Sequence, residues 1–140
     1  VTVLRYVAAE NAGTVINPLI VEGQSHGAIA LGISGALMEH SAYDADGQLL
    51  AASFMDYAIG RADDLPRFEM QHLDTPSPRT PAGIKGMAEG GTMGAIGAVM
   101  NAVNDALARR GARLEAQPAS AARVWAALRA AQPGPPPGRA

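Results

Sequence analysis

The sequence predicts an α+β fold, and three observations carry that prediction. Apolar residues alternate in two short stretches, 1–8 and 68–73, as they do in strands. They recur at helical spacing in three longer stretches that begin near Pro18, Gly91 and Ser120. The order strand, helix, strands, helix, helix carries no internal repeat, which separates it from alternating βα architectures.

Each element has a local reason. In residues 1–8, Val1, Val3 and Val7 fall on one face, with Leu4 and Tyr6 on the other. Both faces are partly apolar, so this strand is expected to lie inside a sheet covered on both sides. A chain that opens in a strand without Met is expected to be part of something longer. Asn17-Pro18 is a strong helix start, because Asn caps free amides and Pro is tolerated at the first helical position. That helix is expected to run to about His40. It holds Gly23, Gly27, Gly32 and Gly35, each costing about 1 kcal/mol against Ala in a helix interior. The compensation expected is close approach of another backbone or a ligand to that face.

Residues 43–49 read as a hairpin turned by Asp46-Gly47. Residues 53–57 read as a short strand or turn, and 61–66 as loop. Phe68, Met70 and His72 alternate with Glu69, Gln71 and Leu73, a strand pattern. Three prolines within residues 75–81 dictate extended, irregular chain. The second helix starts at Gly91-Thr92, with Met93, Ile96, Met100, Val103 and Leu107 as its apolar stripe and Gly111 as its stop. The third starts at Ser120 and sets Val124, Leu128 and Ala131 on one side, with Trp125 as a packing anchor. Residues 132–140, rich in Pro and Gly, are too poor in apolar groups to fold.

Composition narrows the function. Of the 140 residues, 29 are Ala and 28 are Leu, Ile, Val or Phe, so the core is thin for the length. No Cys is present, which excludes disulfides, Cys-ligated zinc and Fe–S clusters on this stretch of chain. A net charge of −2 gives no electrostatic footprint for nucleic acid or anionic lipid. No apolar run is long enough to span a bilayer and no basic, apolar leader is visible, so a cytoplasmic location is expected.

The densest chemical segment is Gly83-Ile-Lys-Gly-Met-Ala-Glu-Gly-Gly-Thr92, just ahead of the second helix. Glu89 has a purely structural explanation, since the helix dipole favours acids there. It also has a functional one: glycines let a ligand touch backbone, free amides point at it, and Glu89 serves as a base. The glycines form neither a dinucleotide fingerprint nor a P-loop around Lys85, which is a solvated loop charge or a partner of Glu89. In the first helix Glu22 and His26 share a face at i,i+4, but two ligands without a third are ordinarily a polar face, and no protein-ligated metal is expected. Gln24 both donates and accepts, as the mixed edge of a heterocycle demands; an interhelical hydrogen bond is its simpler role. Ser34 lacks nucleophile-elbow spacing. His40 and His72 carry no partner pattern and are expected at a helix end and a strand surface.

Taken in order, several stretches resemble the C-terminal end of the large subunit of molybdenum hydroxylases, the xanthine dehydrogenase and aldehyde oxidase superfamily, with its aerobic carbon monoxide dehydrogenase branch nearest. They are Val15-Ile-Asn-Pro-Leu-Ile-Val-Glu-Gly-Gln-Ser-His-Gly27, Tyr43-Asp-Ala-Asp-Gly-Gln-Leu49, Ser53-Phe-Met-Asp-Tyr57, Thr75-Pro-Ser-Pro78 and residues 83–92, continued by residues 101–107 and Val124-Trp125. The resemblance runs to about Leu128 without large gaps. It implies a molybdopterin cofactor, in bacteria usually the cytosine dinucleotide form, with the metal held by the cofactor's dithiolene. It implies that Glu89 matches the family's catalytic glutamate, the base on a metal-bound hydroxyl. Gly86, Met87 and Ala88 then line the cofactor with backbone, and Gln24 matches a glutamine near pterin and molybdenum. Ala88 stands where the family commonly has a second Gly. Ala28 and Leu31 replace a Gly and a Gln of the family pattern.

The resemblance therefore implies that residues 1–131 are the C-terminal portion of a molybdopterin-binding domain. Its partners would be the rest of the large subunit, an Fe–S subunit or domain and an FAD subunit or domain, with no nucleic acid or membrane. The substrate would be a small molecule: an aldehyde, an N-heterocycle, a purine or carbon monoxide. The alternative is a diverged, non-catalytic family module with a structural or assembly role.

Overall fold

The computed structural model describes residues 1–131, and the expectation for the Pro/Gly tail falls outside them. The fold is α+β, with three helices and two short strands. Strand β1 spans Tyr6–Glu10 and β2 spans Phe68–His72. They pair in parallel, from Tyr6 opposite Phe68 to Glu10 opposite His72. Parallel neighbours need a long crossover, and here it contains helix α1, Pro18–Leu37. Helix α2 is Gly90–Ala108 and α3 is Ala121–Ala131.

Residues 1–5 form no strand, so the expected strand is shifted toward Glu10. Nor is the sheet covered on both sides by the described residues. Burial alternates along β1 and β2, with Tyr6, Ala8, Phe68 and Met70 turned to the core and Val7 left exposed. On the open face Arg5 makes a bidentate pair with the Glu69 carboxylate, at 2.6 and 2.7 Å.

Helix α1 begins as its sequence requires: the Asn17 side chain accepts from the Ile20 amide at 3.3 Å, and Pro18 fills the first turn. It ends at Leu37, three residues short of His40, where Met38 and Glu39 both donate to the Ser34 carbonyl. Its fully buried Ile29 and Ile33 pack with Val99, Val103 and Leu107 of α2 to make the core. Gly32 is a point of close approach between the two helices, since an added Cβ would stand 2.4 Å from the Ala95 Cβ.

That close approach displaces only Met93 from the expected stripe of α2, whose Val103 and Leu107 are buried. The buried positions are Gly91, Ala95, Val99, Val103 and Leu107, four apart throughout, while Met93 is 83% exposed. Small residues hold the seam because the helix axes meet where Gly32 has no side chain, and a Met there would not fit. Ile96 and Met100 pack at the edge of the core. Trp125 is likewise no anchor. It is 63% exposed under the Arg129 guanidinium, 5.5 Å from the ring centre, while Val124, Leu128 and Ala131 meet the core as expected.

The hairpin forms as a bridge between Tyr43 and Leu49, with Gly47 at φ +81°. Residues 53–57 are a turn, closed by the Tyr57 amide donating to the Ser53 carbonyl at 2.8 Å. Residues 61–66 hold a short 3-10 turn, Ala62–Asp64. His40 lies 3.5 Å from an Arg123 nitrogen. His72 sits on the core side of β2, not on its surface, and its Nδ1 is buried without a hydrogen-bond partner. The Glu22 carboxylate is 4.0 Å from His26 Nε2, and the His26 ring packs edge-on to Phe68. Among the described residues no three His, Cys, Asp or Glu side chains are grouped to hold a metal.

Candidate functional site

The site is assembled from two turns and two helix ends. After β1 the chain turns at Gly13, whose φ of +65° excludes ordinary side chains; a Cβ there would also lie 2.2 Å from the Gly83 carbonyl oxygen. That closeness lets residues 12–14 bridge antiparallel to residues 83–85. Thr14 donates to the Gly83 carbonyl at 3.2 Å and Lys85 donates to the Ala12 carbonyl at 2.9 Å. The proline-bearing loop folds over the same point through the Ser77 amide, 3.0 Å from the Gly83 carbonyl. The segment 86–89 is thus fixed at one end by the end of β1 and at the other by the start of α2.

Along that segment Gly86, Ala88 and Glu89 are exposed and Met87 is half-buried. Gln24, on the exposed face of α1, donates from Nε2 to the Ala88 carbonyl at 3.4 Å, across 64 residues of sequence. Glu89 is the N-cap of α2, yet its side chain makes no capping hydrogen bond; its carbonyl alone accepts from Thr92, at 3.1 Å. A carboxylate placed there only to cap the helix would use its oxygens on those amides. No ion pair joins it to Lys85 among the described residues. Ala88 adopts no positive φ, so its Cβ is carried without strain in place of Gly. Gln24, Gly86, Met87, Ala88 and Glu89 therefore form one continuous surface. Ala28 is buried beneath it, and Leu31 is half exposed further along α1.

Two side chains under this surface have no obvious sequence signal. Ser25, fully buried, donates to Glu10 Oε2 at 2.5 Å, and Glu10 Oε1 is buried without a partner. A charged residue closing an apolar strand just before an Asn-x-Gly turn was the available clue to Glu10.

Residues 1–66 match the molybdopterin cofactor-binding domain model. The chain is 45% identical over 124 residues to the nicotine 6-hydroxylase large subunit of Paenarthrobacter nicotinovorans, which covers 89% of this chain and 15% of that protein. It is 40% identical over 127 residues to the carbon monoxide dehydrogenase large chain of Hydrogenophaga pseudoflava, covering 91% and 16%. Its fold superposes on quinoline 2-oxidoreductase from Pseudomonas putida 86 with a TM-score of 0.89 at 44% identity, covering 91% of this chain and 16% of that one. The chain belongs to the molybdenum hydroxylase large subunits. It spans about one-sixth of the length of these relatives.

The surface suits one wall of a molybdopterin site in such a subunit. At Gly23, Gly27 and Gly86 an added Cβ would meet nothing within 4 Å, so backbone is open to a flat ligand. Beside it stand a neutral amide able to donate and accept, and a free carboxylate.

Proposed function

We propose that residues 1–131 form the C-terminal portion of the molybdopterin-binding domain in a catalytically active hydroxylase, with Glu89 as its base. The observation that carries this reading is the hydrogen bond from Gln24 to the Ala88 carbonyl. It joins two motif segments into one surface and leaves the Glu89 carboxylate open beside them.

When bound, the cofactor, as its cytosine dinucleotide form, supplies the two-electron redox step that no side chain of this chain can perform. Gln24 and the backbone of Gly86, Met87 and Ala88 hold and orient it. Glu89 accepts the proton released as a water-derived oxygen is added to the substrate. Fe–S and FAD centres on partner subunits or domains would take up the two electrons, a division of labour supported by relatives named as large chains and as a subunit of a dehydrogenase complex. The substrate class is a small electron-poor molecule: an aldehyde, a purine, an N-heterocycle or carbon monoxide.

The test is the Glu89→Gln variant of the complete subunit in its assembled complex. Molybdenum content should match the wild type while turnover on the best substrate of a panel of those four classes is nearly abolished. Undiminished turnover refutes the base assignment.

A further inference from the structure

Glu10 closes β1 on the core side of the sheet, in register with His72. Its carboxylate touches both halves of the Gln24–Glu89 surface from below. Oε2 accepts from Ser25, the residue after Gln24. Oε1 lies 3.0 Å from where a Cβ on Gly91 would stand, two residues beyond Glu89. Ile29 and Ala28 complete that contact at 3.1 and 3.2 Å, so a side chain at position 91 would crowd the carboxylate.

This arrangement is costly for packing alone. Oε1 and the neighbouring His72 Nδ1 are both buried without hydrogen-bond partners. The single Ser25 proton is shared between Glu10 and the Val21 carbonyl, 3.0 Å away. A half-satisfied buried carboxylate is less favourable than an apolar side chain of similar volume. What an apolar side chain would lack is a directional bond to α1 combined with attraction to the amino end of α2.

We propose that Glu10 is a positioning residue: its buried carboxylate, held by Ser25 and seated under Gly91, fixes the first turn of α2 against α1 and so sets Glu89 relative to Gln24. The catalytic consequence rests on Glu89 being the base; the structural coupling does not.

The test uses the complete subunit in its assembled complex, with Glu10→Ala, Glu10→Gln, Ser25→Ala, Glu89→Gln and the double variant Glu10→Ala/Glu89→Gln. A misplacement of about 1 Å costs roughly 10²-fold in rate, so Glu10→Ala should lower kcat by about that factor with KM and molybdenum content unchanged. Amide exchange over residues 88–92 should quicken while exchange elsewhere in the chain stays as in the wild type. Ser25→Ala should move both readouts the same way and less far, and it carries the test if Glu10→Ala does not assemble. Glu10→Gln keeps the shape and the acceptor for Ser25, and should recover most of kcat. The double variant should turn over no more slowly than Glu89→Gln alone. Unchanged kcat and unchanged local exchange in Glu10→Ala and Ser25→Ala overturn the proposal, as does a chain-wide rise in exchange with loss of molybdenum. Full turnover in Glu89→Gln defeats the base reading alone, and local exchange in the Glu10 and Ser25 variants then decides the positioning role.

Discussion

Among the described residues Ala82 is the one non-glycine with a positive φ, at 55°, in the short turn Pro81–Gly83 that delivers the chain to the site. A Cβ in that region is disfavoured by about 1 kcal/mol or more. The Ala82→Gly variant of the complete subunit should therefore be more stable by somewhat less than about 1 kcal/mol, after the extra chain entropy of Gly is counted, read as a higher thermal midpoint. No pattern around Pro81-Ala82-Gly83 announces this, because the turn is imposed by the bridge between residues 12–14 and 83–85. Gln24 and Glu89 were singled out in the sequence by the motifs around them, and the fold brings those two segments together. Glu10 was not, since its burial depends on α1 and α2 arriving over the end of β1 from distant parts of the chain.

At the scale of elements, the contact of α1 with α2 turns on Gly32. A methyl group placed 2.4 Å from the Ala95 Cβ overpacks the seam, and Gly32→Ala should cost about 1–3 kcal/mol. The pair Gly32→Ala/Ala95→Gly should regain part of that loss, as measured by denaturant unfolding of the complete subunit. The four glycines of α1 read alike in sequence, yet their environments differ. Gly32 admits a helix, Gly35 meets the Ile96 side chain at ordinary distance, and Gly23 and Gly27 lie open on the candidate site. Helix α2 shows the same limit: the 3-4-3-4 stripe and the buried four-apart series share Val103 and Leu107 and diverge toward the amino end, where Gly91 and Ala95 face α1 and Met93 does not. Caps and turns were more readable, as Asn17-Pro18 and Asp46-Gly47 act within a few residues of themselves.

The sheet adds a dependence on pH. The hydrogen bond and charge of Arg5 hold the Glu69 carboxyl below its usual range. A lowered folded value means the pair contributes above the unfolded carboxylate pKa, about 4.3, and is lost as pH falls through the folded value. Both groups are exposed, so the increment is small and salt-screened. The protection of β1 and β2 amides over that of Glu69→Gln should be constant near neutrality, shrink below about pH 4, and weaken with added salt.

At the scale of the molecule, the described residues leave much apolar surface uncovered. Leu4, Leu19, Phe54 and Met55 are all more than three-quarters exposed. An open groove of about 900 Å³ runs between residues 1–7 and α2, lined by Val3, Tyr6, Val99, Val103, Val124 and Leu128. Produced without the rest of its subunit, this 140-residue stretch should bind a hydrophobic dye, unfold without a cooperative transition and show no turnover. A sharp calorimetric transition from dye-free protein would contradict that expectation.

Alanine and glycine content alone determined that the core would be thin. The order of short motifs determined the family, and with it the segments that meet at the candidate site. Those features are local in sequence: composition, caps, turns and motif spacing act within a few residues. How α2 meets α1 at its amino end, how Gly13 lets two turns meet, and why a carboxylate sits beneath Gly91 were decided by tertiary structure. Each depends on elements brought together across 60 or more residues, from Glu10 to Gly91 and from Gln24 to Ala88. Side-chain periodicity carries no record of which partner will arrive.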